Sequence, residues 1–163
     1  MNQATPTVRD LARLLLTLEA RRSEHGQEVQ TDLRAFEKLQ AYLTNLVGVA
    51  GFRALLARAL ALATAEVGWL RNVRVLDDAT FKGFTEAATQ QPAKDVAAAR
   101  AAILAHLIGL LVIFLGEAIT LRFVQDVWPE VPGDAINFSV KETRHEWARQ
   151  GAYWATGDWH SGP

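Results

Sequence analysis

The residues that could carry out chemistry are scattered along this chain and do not share the spacings that catalysis requires. There is no cysteine, which excludes disulfides, thiolate metal sites and cysteine nucleophiles. His145 and Glu146 begin a string that resembles the HExxH zinc motif, but Arg149 stands where the second imidazole must be. None of the three serines lies in a G-x-S-x-G turn, and the sequence has no glycine-rich phosphate loop. The sequence therefore predicts a protein that is not an enzyme and that binds no metal and no cofactor.

Charged residues beside the most apolar part of the sequence are the other candidates for a site. Residues 101–116 form a run of sixteen positions without formal charge, and Glu117 follows directly. A carboxylate buried without a partner is very costly, so Glu117 must either reach the surface or meet a cation. Arg53 and Arg58 are candidate cations if the two apolar helices run antiparallel.

Two interpretations of these polar residues stay open at the sequence level. In the favoured one, Glu117 takes part in a structural ion pair or lies at a helix rim, and His106 is a hydrogen-bonded core or rim histidine. In the alternative, Glu117, Arg122, His106 and distant residues assemble a catalytic site around the carboxylate.

Small residues form stripes along two apolar segments. Six of them recur at three- and four-residue steps along a predicted helix at 50–71, and a similar series follows within 98–116. The first series is Ala50, Ala54, Ala57, Ala61, Ala65 and Gly68. Small residues let a second backbone approach closely, so the two stripes predict an intimate central helix pair. Chance is the alternative, because both segments are rich in alanine.

Helical patterns dominate the chain and predict an all-α fold. The expected architecture is a single-domain bundle of five to seven helices around two very apolar central helices, with no strand pair. The domain is expected to span residues 1–155, and residues 156–163 are expected to be a flexible tail. Helices are predicted at about 7–22, 27–47, 50–71, 79–90, 92–127 and 139–155, with Gly48 and Gly51 bracketing a break.

The length of the predicted helix 92–127 is itself informative. A continuous helix of that length would span about 54 Å. A compact domain of this size is roughly 39 Å across. The helix must therefore bend, with Gly109 as the candidate position, or the molecule is elongated. Because the run 101–116 falls short of the about 20 residues of a membrane span, burial in a bundle is the favoured interpretation.

Charge and the N-terminal sequence bear on location and partners. The formal net charge of −1 gives no electrostatic footprint for nucleic acid or an anionic membrane surface. The first ten residues have no basic region leading into an apolar one, so no signal peptide is expected. A cytoplasmic location is the default expectation. The heavy use of Ala, Leu and Arg suggests a bacterial source.

Aromatic residues near the C-terminus lead to the favoured functional hypothesis. Trp147, Tyr153, Trp154 and Trp159 either complete the core or anchor a partner, since tryptophan is enriched at binding hot spots. We expect a non-enzymatic helical interaction module, an adaptor or regulatory partner protein, that binds another protein or a second copy of itself. The first alternative is a membrane-active protein whose apolar helix pair is covered in the soluble state. The second is the enzyme built around Glu117.

Overall fold

The described part of the chain is a bundle of α-helices with one small hairpin. The computed structural model describes residues 6–22 and 33–131. Its helices are α1 (Pro6–Arg22), α2 (Arg34–Glu66), α3 (Phe84–Ala88), α4 (Ala93–Leu115) and α5 (Glu117–Val127). Between α2 and α3 lie a 3-10 helix (Gly68–Asn72) and the strands β1 (Arg74–Val75) and β2 (Phe81–Lys82). Since 81% of the described residues are helical, the predicted all-α bundle is confirmed.

Helix α4 forms the centre of the bundle. Every residue from 101 to 108 is buried, which is the environment that a helix apolar on all sides requires. Helices α1 and α2 both pack along it. The amphipathic pattern predicted for 7–22 gives α1 its buried face, where Val8, Leu11 and Leu15 lie in the core. Each such fully buried leucine contributes about 1.5–3 kcal/mol relative to an exposed one.

The long helices are interrupted at Gly48 and at Gly116. The second break differs from the bend that the sequence predicts at Gly109. Gly48 divides α2 with φ 78° and ψ 166°, as the predicted break there requires. Gly116 separates α4 from α5 with φ 87° and ψ 161°. Gly109, the predicted bend, stays inside α4. Positive φ with extended ψ is accessible essentially only to glycine, so a side chain at Gly48 or Gly116 is strained.

Alanine substitutions at Gly116 and Gly109 should therefore change stability in opposite directions. Gly116→Ala is expected to lower the free energy of unfolding by about 1–3 kcal/mol, because alanine must adopt a sparsely populated backbone conformation. Gly109→Ala should raise it by about 0.5–1 kcal/mol, because glycine is a poor residue in a helix interior. A β-carbon at either position meets nothing within 4 Å, so steric clash does not confuse the comparison. Urea denaturation of the two variants measures both effects, and equal shifts of one sign would contradict the assignment of the break.

The predicted pairing of two small-residue stripes is wrong. All six residues of the series from Ala50 to Gly68 are exposed. Helix α2 instead contacts the core through the opposite face, which includes Phe52, Leu56 and Ala63. Large side chains remove more apolar surface from water than alanines do, so burial of the phenylalanine and leucine face is favoured.

The segment that joins α2 to α4 differs from its predicted helix and loop. Helix α2 ends at Glu66 rather than near 71, and α3 is shorter than the predicted 79–90. β1 and β2 pair in antiparallel register, so the expectation of no strand pair is wrong. The pair is only two residues long and packs on α2, where the rings of Phe36 and Phe81 lie 5.3 Å apart, edge to face. A hairpin this short depends on such support. The start of the helix predicted at 27–47 and the helix predicted at 139–155 lie outside the described residues.

Candidate functional site

A buried carboxylate joins three parts of the bundle at one end. Glu19, in α1, is only 1% exposed. Its Oε1 atom accepts hydrogen bonds from Lys38 Nζ at 2.5 Å and from Trp128 Nε1 at 2.8 Å. Arg22 Nη1 lies 3.6 Å from the same oxygen. We call Glu19, Arg22, Lys38 and Trp128 the polar hub; it ties α1 to the start of α2 and to the residue that follows α5.

A second polar cluster lies at the other end of α1. Glu66 accepts a hydrogen bond from Arg9 Nη2 at 2.8 Å through Oε2, and its Oε1 lies 3.2 Å from Nε2 of His106. His106 is 5% exposed, and burial lowers the pKa of its imidazole while the Glu66 carboxylate opposes that effect. We call Arg9, Glu66 and His106 the polar triad. Its contacts join α1, α2 and α4, so His106 has a hydrogen-bond partner in the core as its favoured interpretation requires.

Sequence reasoning did not single out Glu19 or Trp128, although the signal for Glu19 was present. Glu19 lies four residues after Leu15 and eight after Leu11, so it belongs to the apolar stripe of α1. A carboxylate on the buried stripe of an amphipathic helix must have partners, because its isolated burial is so costly. The sequence does not identify Lys38 and Trp128 as these partners, because packing between segments that are distant along the chain brings them to Glu19.

The residues predicted to surround Glu117 are not brought together. Arg53 pairs with Asp77, its Nη1 lying 3.1 Å from Oδ1, and Arg58 and Arg122 are exposed. Within residues 6–22 and 33–131, no ion pair joins Glu117 to a cation. Glu117 begins α5 and is partly exposed, and its partial burial raises the pKa of its carboxyl. The carboxylate therefore reaches the surface, which is one of the two outcomes that the cost of its burial predicts.

Distance along the chain also separates Glu117 from the second proposed member of a catalytic site. His106 precedes it by eleven positions, which is about 16 Å along a helix, and its ring is engaged with Glu66. In the part of the chain that the structure describes, no group of three or more His, Asp or Glu side chains could hold a metal ion.

The most conspicuous surface feature is a group of large apolar side chains around the two helix breaks. Phe114 is 69% exposed, and four further residues are between 45% and 56% exposed. The five are Leu46, Val49, Ile113, Phe114 and Ile119, and we call them the end patch. Gly48 lies between the first two, and Gly116 lies between the last two.

Packing of α2 against α5 brings Leu46 to the end of the molecule where α5 begins. Lys38 and Trp128 meet at the polar hub, and the rings of Tyr42 and Phe123 lie 6.0 Å apart. Advancing along α2 therefore means going backwards along α5, so the two run antiparallel here. Leu46, one turn after Tyr42, comes level with the first turn of α5.

The end patch includes the last part of the run 101–116, for which burial in a bundle is the favoured interpretation. The run is buried through most of its length, but Ile113 and Phe114 emerge at its end. The signal available in the sequence was Gly116 followed by Glu117, which together mark a helix end and a helix start. The predicted partner-binding residues Trp147, Tyr153, Trp154 and Trp159 lie outside the described residues.

Two helices of the described chain are long and apolar enough to cross a membrane by length and composition alone. They differ in burial: 67% of the most apolar window of α4 is buried, against 33% for α2. The buried centre of a soluble bundle passes the same test. The break at Gly48 also divides α2 into two shorter helical pieces.

In comparisons with known proteins, no family model, no curated protein and no solved structure matches this chain.

Proposed function

We propose that this chain is a non-enzymatic helical interaction module, an adaptor or regulatory protein that binds a partner protein through the end patch. The observation that carries the proposal is the exposure of five large apolar side chains around the helix breaks at Gly48 and Gly116. Large exposed apolar surface on a soluble protein commonly marks a binding site.

The composition of the end patch suits recognition of a protein. Phe114 is the most exposed of the five side chains, and an aromatic anchor of this kind commonly dominates binding energy. The exposed Arg122 follows Ile119 by about one helical turn on α5. Polar groups around an apolar centre are the usual anatomy of a protein interface.

The polar clusters support the same proposal indirectly. The carboxylates of Glu19 and Glu66 each contact cationic or N–H donor groups that belong to other elements. Such contacts fix helices relative to one another, and a rigid scaffold is what a preorganised binding surface needs. The cytoplasmic location and bacterial source stay predictions.

A second candidate is favoured by one specific observation. Helix α4 is long and apolar enough to span a bilayer, and its exposed end carries Phe114. In this candidate the end patch contacts lipid first and α4 then leaves the core. Protein binding is the stronger proposal because most of α4 is already buried and the net charge of −1 offers no attraction to anionic lipid.

The proposal predicts that Phe114 contacts a partner directly. A photo-crosslinking amino acid placed at position 114 of the full chain is expected to give one discrete product in the source cells. The same group at Leu76, an exposed apolar residue in the β1–β2 turn, is the matched control and should give none. Once the captured partner has been identified and purified, its affinity for the Phe114→Ser variant should be at least about tenfold weaker than for the unchanged protein, as loss of a hot-spot residue predicts. Its affinity for the Leu76→Ser variant should be unchanged.

Other outcomes would overturn the proposal. Equal crosslinking at positions 114 and 76 would mean that the end patch has no special role. Co-sedimentation of the full chain with liposomes between pH 4 and 8, abolished by Phe114→Ser, would replace the protein partner by a bilayer.

A further inference from the structure

Helix α1 covers α4 and is attached by a polar cluster at each end. It packs mainly on α4 and much less on α2, with Leu11 and Leu15 among its buried side chains. The polar hub holds its C-terminal end through Glu19, and the polar triad holds its N-terminal part through Arg9. Since α2 packs directly on α4, that helix pair does not need α1 for its own contact.

The polar triad places two basic groups on one carboxylate. Arg9 Nη2 donates to Oε2 of Glu66 at 2.8 Å, and Nε2 of His106 lies 3.2 Å from Oε1 of the same carboxylate. While the imidazole is neutral, the charges of Arg9 and Glu66 balance. A proton on His106 gives the triad a net positive charge at a position where the imidazole is only 5% exposed. Burial of an unbalanced charge is costly, so the closed arrangement resists this proton.

The charged groups that act on His106 come from two of the elements packed against α4. Glu66 belongs to α2 and Arg9 to α1, whereas the first charged residue of α5, Glu117, lies eleven positions further along the chain. On α4 itself the nearest charged residue is Arg100, six positions earlier. Burial is the main cause that lowers the pKa of His106; Glu66 opposes it and Arg9 adds to it. Departure of α1 removes Arg9 and admits water, and both changes favour the protonated imidazole.

From this arrangement we propose that α1 is a cover of α4 that acid releases. When His106 gains a proton, its imidazolium takes Glu66 as its counter-ion in place of Arg9, and the N-terminal part of α1 leaves the bundle. Arg9 moves into water, while the His106–Glu66 pair that stays behind keeps its charges balanced. The polar hub retains the C-terminal end of α1, so the opening is local.

Opening uncovers apolar surface that is buried at neutral pH. Leu11 and the part of α4 beneath α1 become accessible, and every residue of α4 from 101 to 108 is buried in the closed form. None of the five residues of the end patch lies within 101–108. This acid-dependent surface is therefore additional to the one in the proposed function and does not depend on it.

Single cysteines in the full chain, which has none of its own, test the release through their rates of labelling by a maleimide. Leu11→Cys reports on α1, and Leu70→Cys is the matched control, the same substitution at a fully buried position of the 3-10 helix. Both rates are divided at each pH by that of the exposed Leu76→Cys, which cancels the titration of the thiol. Between pH 7.5 and 5, the relative rate of Leu11→Cys should rise towards a limit of about thirtyfold, which follows from an imidazole pKa of about 6.5 in water. That of Leu70→Cys should rise far less.

Two changes in the polar triad separate this exchange of counter-ions from ordinary acid unfolding. In the Leu11→Cys background, His106→Gln should abolish the response to acid, because the group that takes up the proton is absent. Arg9→Gln should raise labelling at pH 7.5, since α1 loses a contact, but should weaken the response to acid, because protonated His106 and Glu66 then balance. If Arg9→Gln is already fully labelled at pH 7.5, His106→Gln decides.

Three outcomes would overturn the proposal. Equal rises at positions 11 and 70 would mean that the whole bundle unfolds in acid rather than α1 alone. An undiminished response in His106→Gln would place the acid sensor elsewhere. A relative rate of Leu11→Cys that ignores pH while the triad is unchanged would show that α1 stays attached.

Discussion

Replacing Glu19 by alanine is expected to lower the free energy of unfolding by about 3 kcal/mol. The carboxylate is almost wholly buried and accepts hydrogen bonds from Lys38 and Trp128. Its removal leaves the indole N–H of Trp128 without this acceptor in a site where Trp128 is fully buried. Lys38 is partly exposed and can turn towards water, so most of the loss comes from the indole N–H and from the looser attachment of α1.

Equilibrium urea denaturation of two further variants identifies the cause of this loss. Glu19→Gln keeps an oxygen for Trp128 but loses the charge opposite Lys38, so its stability should fall between those of the alanine variant and the unchanged protein. Glu130→Gln is the matched control: Glu130 also binds Arg22, but it is largely exposed, and the denaturation midpoint should hardly move. If Glu19→Ala and Glu130→Gln had equal midpoints, the polar hub would have no structural importance.

The contrast between Glu19 and Glu117 illustrates what the sequence could predict. Both carboxylates follow apolar positions on a helix, and cost of burial alone predicts that each needs a cation or water. Glu117 follows the longer apolar run, yet the break at Gly116 places it at a helix start where water reaches it. Glu19 lies near the C-terminal end of α1, yet it is buried and accepts hydrogen bonds from Trp128 and Lys38.

The small-residue series on α2 marks a second limit. Periodicity correctly placed Ala50 to Gly68 on one helix face, because spacing fixes which residues share a face. Spacing does not decide which face is buried when both faces are apolar. The larger side chains of Phe52 and Leu56 took the core, and the alanines were left in water. Fold class was predictable from patterns within segments, whereas the end patch surrounds breaks whose positions depend on the backbone conformations of Gly48 and Gly116.

Acid is expected to destabilise the protein from about pH 6.5 downward through His106. Burial lowers the pKa of this imidazole in the folded state, so the unfolded chain binds a proton at a higher pH than the folded one does. Wherever the unfolded state binds more protons, stability rises with pH. The contribution of His106 is therefore complete above the unfolded pKa and is lost as the pH falls towards the folded pKa.

The polar triad gives this pH dependence a specific partner. Glu66 raises the pKa of His106, so Glu66→Gln should lower that pKa further and make the acid loss steeper. The same variant should reduce stability at pH 7.5 by about 2 kcal/mol, since Arg9 and His106 lose a buried charged partner. His106→Gln should remove this part of the pH dependence altogether. Urea midpoints of the three proteins from pH 7.5 to 5 measure these effects, and the difference curves cancel the opposite contribution of Glu117, whose pKa is raised. Parallel curves for His106→Gln and the unchanged protein would show that the acid sensitivity originates outside the triad.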